Sequence, residues 1–284
     1  MGLLYRLSLV PAYLSRSRDF SFPISELFRR ITSRSCVSTA QSFIDNIEQR
    51  GPFVLIKLRN IDRPLFWPSS LSHYDFHRVI TECFCETDWH FYEVPETRVR
   101  PEDVVLDCGA AEGLFTLRVY SRAKHVFAFE PSRLFLDSLA HTFNGVENVS
   151  IMSYALGSKE GESVLSGTAL SAHLGGAVGG EKVRITTIDA WAERTKLPVN
   201  FIKADIESFE FEMLKGAAKT ISTHSPRIAL TVYHPGNRWR EILGYCQNLV
   251  PTYRYKIKGL SMLEKGYTRP VMIHLWNASA AVKG

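Results

Sequence analysis

The sequence predicts an α/β fold: a seven-stranded, mostly parallel sheet with helices on both faces and a terminal antiparallel hairpin. Three observations predict it. From residue 100 onward, short apolar runs alternate with segments of helical periodicity. Two of those runs, Val104–Asp107 and His125–Glu130, end in an acid, and the first passes into a turn of small residues. The last two runs, Tyr253–Ile257 and Val271–Trp276, are joined closely enough to pair antiparallel.

The elements follow in order. After Arg100-Pro101-Glu102-Asp103 comes the first strand, Val104–Asp107. A helix spans about 113–122, with Leu114, Phe115, Leu117 and Val119 available to cover the sheet. The second strand is His125–Glu130, and Pro131 opens the next helix at a position needing no amide donor. That helix carries Leu134, Phe135, Leu139 and Phe143 at helical spacing, and the third strand is Val149–Tyr154. A polar, glycine-rich section at 157–180 reads as a surface connection or a lid. Val183–Ile188 alternates as a strand, and a helix near Ala190–Arg194 leads to the fourth main strand, Val199–Ile206. One helix is expected over Glu207–Ile221, with Leu214, Ala217 and Ile221 on one face and Lys215 and Lys219 on another. The fifth main strand is Ile228–Tyr233, and Arg238–Leu249 is helical up to Pro251.

Upstream, residues 1–40 form a basic extension with Arg6, Arg16, Arg18, Arg29, Arg30 and Arg34 against Asp19 and Glu26. Such a segment reads as a loosely ordered solvated extension, a transit peptide or a surface-binding amphipathic stretch. Residues 41–98 read as an α+β cap segment, with a strand at Phe53–Leu58, a helix at Tyr74–Cys85 and an aromatic cluster, Trp89–Tyr92, packed on the main sheet. Residues 99–284 form the main α/β domain.

Composition sets bounds. Of 284 residues 45% are hydrophobic and 22% charged, so a sizeable core forms without disulfides or metal. A formal net charge of +5 is too small to argue for nucleic acid, and none is expected as partner. Five irregularly spaced cysteines (Cys36, Cys83, Cys85, Cys108, Cys246) fit free thiols in a reducing, cytoplasmic setting, with membrane-surface or organelle targeting as the alternative offered by the basic N-terminus. No apolar run approaches the roughly 18–20 residues of a membrane span.

The chemistry-bearing residues collect at strand ends. Asp107-Cys108-Gly109-Ala110-Ala111-Glu112-Gly113 permits close backbone approach to a nucleoside-like ligand, and Asp107 can hold a cationic amino group. Glu130, about one βα unit later, can accept both hydroxyls of a ribose, and Ala155 on the same edge either lines the base or is a plain strand-end residue. Lys203, Asp205 and Glu207 alternate towards the carboxyl end of the fourth main strand, where they pair with each other, meet ligand or reach water. The plain alternative is an internal Lys203–Asp205 pair, with Glu207 and Glu210 as helix-start acids. His234, after Tyr233 at the end of the fifth main strand, is placed to act as a general base or to hold the substrate.

The runs Asp107–Gly113, Phe127–Pro131, Thr187-Ile188-Asp189 and Phe201–Glu210, with Leu214-Lys215-Gly216-Ala217, resemble the FkbM family of S-adenosylmethionine-dependent methyltransferases over roughly residues 80–276. Ser208 stands where that family usually has glycine, and Ala111 where it often has asparagine. The resemblance implies a class I (Rossmann-like) methyltransferase fold, S-adenosyl-L-methionine as cofactor, and O-methylation of a sugar, lipid or polyketide hydroxyl. Asp107, Gly109, Ala110, Glu112, Gly113, Glu130, Pro131, Ala155 and Asp205 would then bind cofactor. His234, Asp205, Glu207 and Lys203 would serve the acceptor, with His234 or Asp205 as base and no metal required. The alternatives are a nicotinamide-dependent oxidoreductase, a non-catalytic binding module, and a metal-assisted variant using Asp189, Asp205, Glu207 and His234.

Overall fold

The computed structural model describes residues 3–14, 20–167, 173–174, 180–236, 238–262 and 268–278. The chain begins with helices α1 (Leu3–Leu14), α2 (Ile24–Thr32) and α3 (Cys36–Gln41). Strands β1 (Ile44–Arg50), β2 (Phe53–Leu58) and β3 (Leu65–Pro68) form an antiparallel sheet, and helix α4 (His73–Phe84) follows. Next come β4 (Val104–Cys108), α5 (Leu114–Val119), β5 (His125–Phe129), α6 (Arg133–Thr142) and β6 (Val149–Met152). A small second sheet is built from β7 (Ala155–Leu156), β8 (Gly161–Ser166), β9 (His173–Leu174) and β10 (Glu181–Thr186). The rest is α7 (Ile188–Thr195), β11 (Phe201–Ala204), α8 (Glu210–Lys215), α9 (Ala218–His224), β12 (Arg227–Thr231), α10 (Trp239–Leu249), β13 (Tyr253–Lys258) and β14 (Met272–Asn277).

The main sheet has seven strands in the order β13-β14-β12-β11-β4-β5-β6. The core ladders are parallel, and β14 inserts antiparallel between β12 and β13. This is the mostly parallel sheet with a terminal hairpin that the alternation of patterns predicts. Strand order reverses between β4 and β11, so their carboxyl ends diverge and open a crevice there.

Strand alternation assigns the two faces. Leu106, Cys108, Ile202, Ala204 and Leu230 pack with α7, α9 and α10. Val105, Val126, Ala128, Phe201 and Ala229 pack with α5 and with Ile56, Trp67, Phe76 and Ile80 of the N-terminal sheet and α4. The 41–98 segment therefore shares a buried core with the main sheet. The extension departs from the expectation of a loosely ordered tail: Leu9, Phe20, Phe22 and Leu27 are buried in the opposite core. Its arginines at 16 and 18 and its Asp19 lie outside the described residues.

Three local expectations change. Pro131 precedes the helix instead of occupying its first turn, because Ser132 takes the N-cap position of α6. The described part of the 157–180 section contains β-structure, since Gly161–Leu165 pairs antiparallel with Glu181–Ile185 of β10; residues 168–172 and 175–179 lie outside the described residues. The single helix expected over 207–221 is two, α8 and α9. A Cβ at Gly216 would collide with the Gly157 carbonyl, and the Gly216 carbonyl accepts from the Asp189 amide at 2.8 Å. Asp189 then receives the amides of Lys219 (3.0 Å) and Thr220 (2.7 Å), starting α9 afresh.

Candidate active site

The crevice at the ends of β4, β5 and β11 is a cleft enclosing ≈ 1060 Å³. Gly109, Ala110, Ala111, Glu112, Glu130, Pro131 and Ala155 line it, together with Lys203, Asp205 and Glu207. Asp107, Gly113 and His234 do not.

Asp107 is a correction to the expected ligand contact. It is 0% exposed, and its place in the sheet register puts it beside Lys203 on the adjacent strand. Lys203 Nζ lies 3.0 Å from Asp107 Oδ1 and donates to the Gly109 carbonyl at 2.6 Å. Thr116 Oγ1 donates to Asp107 Oδ2 at 2.7 Å. The pair is a buried cross-strand bridge that pins the start of the turn, and the partner of Lys203 is Asp107, not Asp205. Burial works against the Lys203 charge, but Asp107 and Asp205 more than offset it and raise its pKa. The ammonium also sits 5.0 Å from the centre of the Tyr92 ring.

Gly113 is equally structural. It caps α5 with φ +91°, and a Cβ there would come within 2.6 Å of Leu139 and 2.8 Å of Phe143. Gly109 serves the close approach of the two loops, since a Cβ would strike the Asp205 carbonyl.

The turn's amides are committed inward. Gly109 and Ala110 both donate to the Phe129 carbonyl at 3.0 Å, and Ala111 donates to Glu130 Oε2 at 2.8 Å. Ser132 N donates to Glu130 Oε1 at 2.8 Å. Glu130 thus welds the turn to β5 while facing the cleft, and each carboxylate oxygen keeps a lone pair for a ligand hydroxyl. Burial pushes its pKa up to about 7 against the pull of those two amides. Glu112 is likewise raised to about 7 by burial, and its Oε2 is buried without a hydrogen-bond partner.

Asp205 accepts from Tyr92 Oη at 2.6 Å (Oδ2) and Thr231 Oγ1 at 3.1 Å (Oδ1). Burial alone would raise its pKa; His90, His234, Lys203 and the Tyr92 hydrogen bond hold it well below the usual carboxylate range. It is therefore a poor proton acceptor. His234 is buried, with Nδ1 3.0 Å from Glu210 Oε1 and Nε2 3.4 Å from Glu207 Oε2 and 3.6 Å from Asp205 Oδ1. Burial opposes its charge, yet the Glu210 hydrogen bond and the three carboxylates raise it to about 9. So held, it favours the protonated form and stands behind Glu207.

Glu207 is the group left with a base's properties. It is half-buried, lines the cleft, and is raised to about 7 by burial and by Asp205 and Glu210, against the pull of His234. Glu207 and Ser208 lie in the left-handed region, at φ +51° and +81°, as does Ala111 at +46°. The two positions where this chain departs from the FkbM pattern are thus ones where glycine or asparagine is favoured.

Metal-ligand spacing occurs once among the described residues: single ligand atoms of Asp205, Glu210 and His234 lie within 4.8 Å of one another. Glu210 Oε1 already accepts from Ile206 N (3.1 Å), Thr231 Oγ1 (3.1 Å) and His234. Asp189 is not part of the cluster, being used at the start of α9.

Sequence reasoning missed the contribution of α4 and the aromatic cluster. Arg78, Val79, Glu82 and Cys83 line the cleft from α4, with Tyr92 and Tyr233. The cluster expected as packing does pack, but Tyr92 also fixes Asp205, and His90 Nε2 lies 3.3 Å from Tyr233 Oη. The available signal was its polar tips, which require partners when buried.

The chain is similar in fold to a methyltransferase FkbM from Methylobacillus flagellatus KT, at 19% identity and TM-score 0.48 over 72% of this chain and 56% of that one. It is also similar to an rRNA methylase from Streptococcus thermophilus (14% identity, TM-score 0.41, 63% of this chain, 89% of that one). M. jannaschii TYW2 in complex with AdoMet aligns at 12% identity and TM-score 0.46, over 82% of this chain and 90% of that one. No curated protein matches the chain. The Methyltransferase FkbM domain model matches residues 107–256, more than half of the sequence, spanning the turn, both acidic strand ends and the Asp205–Glu210 run. On that match, and not as an oxidoreductase, the chain belongs to the FkbM methyltransferase family.

Proposed function

We propose that this chain is an S-adenosylmethionine-dependent methyltransferase that alkylates a hydroxyl oxygen, on an acceptor of sugar, lipid or polyketide type. The observation that carries the reading is the cleft at the strand-order reversal, where a buried carboxylate with one unpartnered oxygen, Glu112, and a doubly amide-bound one, Glu130, face the same space. The donor set fits the cofactor: Glu130 has acceptor capacity for ribose hydroxyls, Glu112 and Asp205 offer carboxylates to an ammonium, and Pro131, Ala155 and Leu156 supply apolar wall. When bound, S-adenosylmethionine supplies an electrophilic methyl group on a sulfonium.

The chain's own residues do the rest. Glu207 takes the acceptor hydroxyl's proton at a carboxylate oxygen, raising the nucleophilicity of that oxygen as it attacks. His234, held by Glu210, steadies the Glu207 carboxylate from behind and is a positioning residue. Tyr92 and Thr231 fix Asp205, so the cleft's negative charge is preorganised. Lys203 and Asp107 hold the turn that shapes the cofactor side.

The test is calorimetric titration with S-adenosylhomocysteine and S-adenosylmethionine. Saturable binding is expected in the wild type, weakened about tenfold in Glu112→Gln, a change that removes one charged interaction. Absence of binding to the wild type would refute the cofactor assignment.

A further inference from the structure

Two further cavities adjoin the cleft. One encloses ≈ 690 Å³ and is walled by Trp89, His90, Leu260 and Val271. The other encloses ≈ 630 Å³ beneath α1–α4, and four arginines line it: Arg6, Arg30, Arg34 and Arg78. The carboxylates facing them are Glu82 and Asp88. Arg78 and Glu82, one turn apart on α4 and bonded at 3.1 Å, belong to the walls of all three cavities. Arg30, paired with Asp88, is shared by the outer two. Arg6 binds the carbonyls of Ser33 and Arg34 at the end of α2, so its charge meets no carboxylate there. Arg34 is exposed at the rim. Hydroxyls of Ser33, Thr39, Tyr74 and Thr87 share the same walls.

The hollow sets four guanidinium groups against three carboxylates, since Asp75 also lies 4.0 Å from Arg78, and with Arg6 and Arg34 outside those ion pairs it keeps an excess of positive charge. Such a set matches a compact, multiply charged oxyanion, and a phosphate monoester fits it best. We propose that the methyl acceptor carries a phosphomonoester group, and that this arginine hollow is where that group binds. The inference rests on the methyltransferase reading for its direction. With the phosphate among the arginines, the body of the acceptor lies along Trp89, His90 and Tyr233, and its hydroxyl reaches the cleft past Arg78. Tyr233 presents ring surface along that route, and Asp88 and Ser261 offer polar contacts, while Trp89 is buried with Arg30 over its ring.

The experiment titrates inorganic phosphate at constant ionic strength into the full chain, in the wild type, Arg34→Gln and Arg34→Lys. Arg34 is chosen because it is exposed and outside the cleft, so the fold and the donor site are untouched. Saturable binding is expected in the wild type, about tenfold weaker in Arg34→Gln and intermediate in Arg34→Lys, which keeps charge but loses the fork. S-adenosylhomocysteine affinity should be equal in all three. No saturable phosphate binding, or equal phosphate affinity in Arg34→Gln, overturns the proposal. Failure of S-adenosylhomocysteine to bind the wild type counts against the cofactor reading instead, so the two failures are told apart. Competition then identifies the source: displacement of phosphate by glycerol phosphate supports a soluble acceptor, and displacement by phosphatidylcholine vesicles doped with phosphatidic acid supports a lipid one. If neither competes, the hollow is not a phosphomonoester site.

Discussion

Replacing Lys203 by methionine isolates what the buried bridge does. Methionine matches the stem of lysine but takes away the ammonium 3.0 Å from Asp107. Asp107 is 0% exposed, and its remaining side-chain hydrogen bond is the Thr116 hydroxyl at 2.7 Å. Breaking a buried ion pair from one side typically costs about 3–5 kcal/mol, because the remaining charge is left without compensation. Against a total stability of about 5–15 kcal/mol that is a large fraction. The sign with pH is fixed by the raised pKa of Lys203. The bridge's contribution is whole at every pH below the ordinary lysine value of about 10.4, and is lost only as pH rises through the higher folded value. Urea unfolding at pH 7–8, followed by tryptophan fluorescence, therefore reads it in full. The double variant Lys203→Met/Asp107→Leu removes both charges and should recover most of the loss, as apolar replacements of buried pairs usually do. It should not recover S-adenosylhomocysteine affinity, because the Gly109 carbonyl has lost its donor at 2.6 Å and the turn its anchor. A loss below about 1 kcal/mol in the single variant would refute the idea that the pair carries the turn. Recovery of ligand affinity in the double variant would refute its link to the cleft.

Two further outcomes follow from the same geometry. Glu207→Gln should lower methyl transfer by about 10²–10⁴-fold and abolish a pH dependence in which the wild-type rate rises with pH through about 7, since only the carboxylate form accepts a proton; a pH–rate profile unchanged by the substitution would assign the base elsewhere. Ser208→Gly should stabilise the chain, because φ +81° costs an L-residue roughly 1–2 kcal/mol and glycine gives back about 0.4–1 kcal/mol in unfolded-state entropy, a net gain read as a rise in thermal midpoint; a fall would show that the serine side chain has an unrecognised partner.

Much of the main sheet was legible because its signals are local. Apolar runs at 104–107, 125–130 and 228–233 each became a parallel strand within a residue or two, and the run at 253–276 became the hairpin. What was not legible depended on contacts between distant segments. Helical periodicity continues unbroken through Leu214, Ala217 and Ile221, all buried, and nothing in that pattern reveals that Gly216 must let the Gly157 carbonyl through. The extension read as a solvated tail because its arginines far outnumber its acids. Leu9, Phe20, Phe22 and Leu27 suffice because a ready-made apolar face beside Trp89 and Trp239 receives them.

The site shows the same division at finer scale. Residue type and spacing placed Glu112, Glu130, Asp205 and Glu207 on one cleft wall. They did not distinguish a carboxylate that faces ligand from one that serves the scaffold, because that distinction depends on neighbours across the sheet. Asp107 and Lys203 lie 96 residues apart in sequence and side by side in register, so each neutralises the other out of reach of the cleft. His234 depends on its neighbours in the same way: a histidine at a strand end suggests a base, but the three carboxylates around it favour its charged form. Burial and the other two carboxylates, Asp205 and Glu210, raise the proton affinity of Glu207. Asp205 accepts from the Tyr92 hydroxyl and Glu210 from the Ile206 amide, with the one Thr231 hydroxyl shared between them, whereas Glu207 keeps a raised affinity for a proton. In the proposed mechanism the base is therefore the acid left least satisfied, a property of the assembled network and not of any one position in the chain.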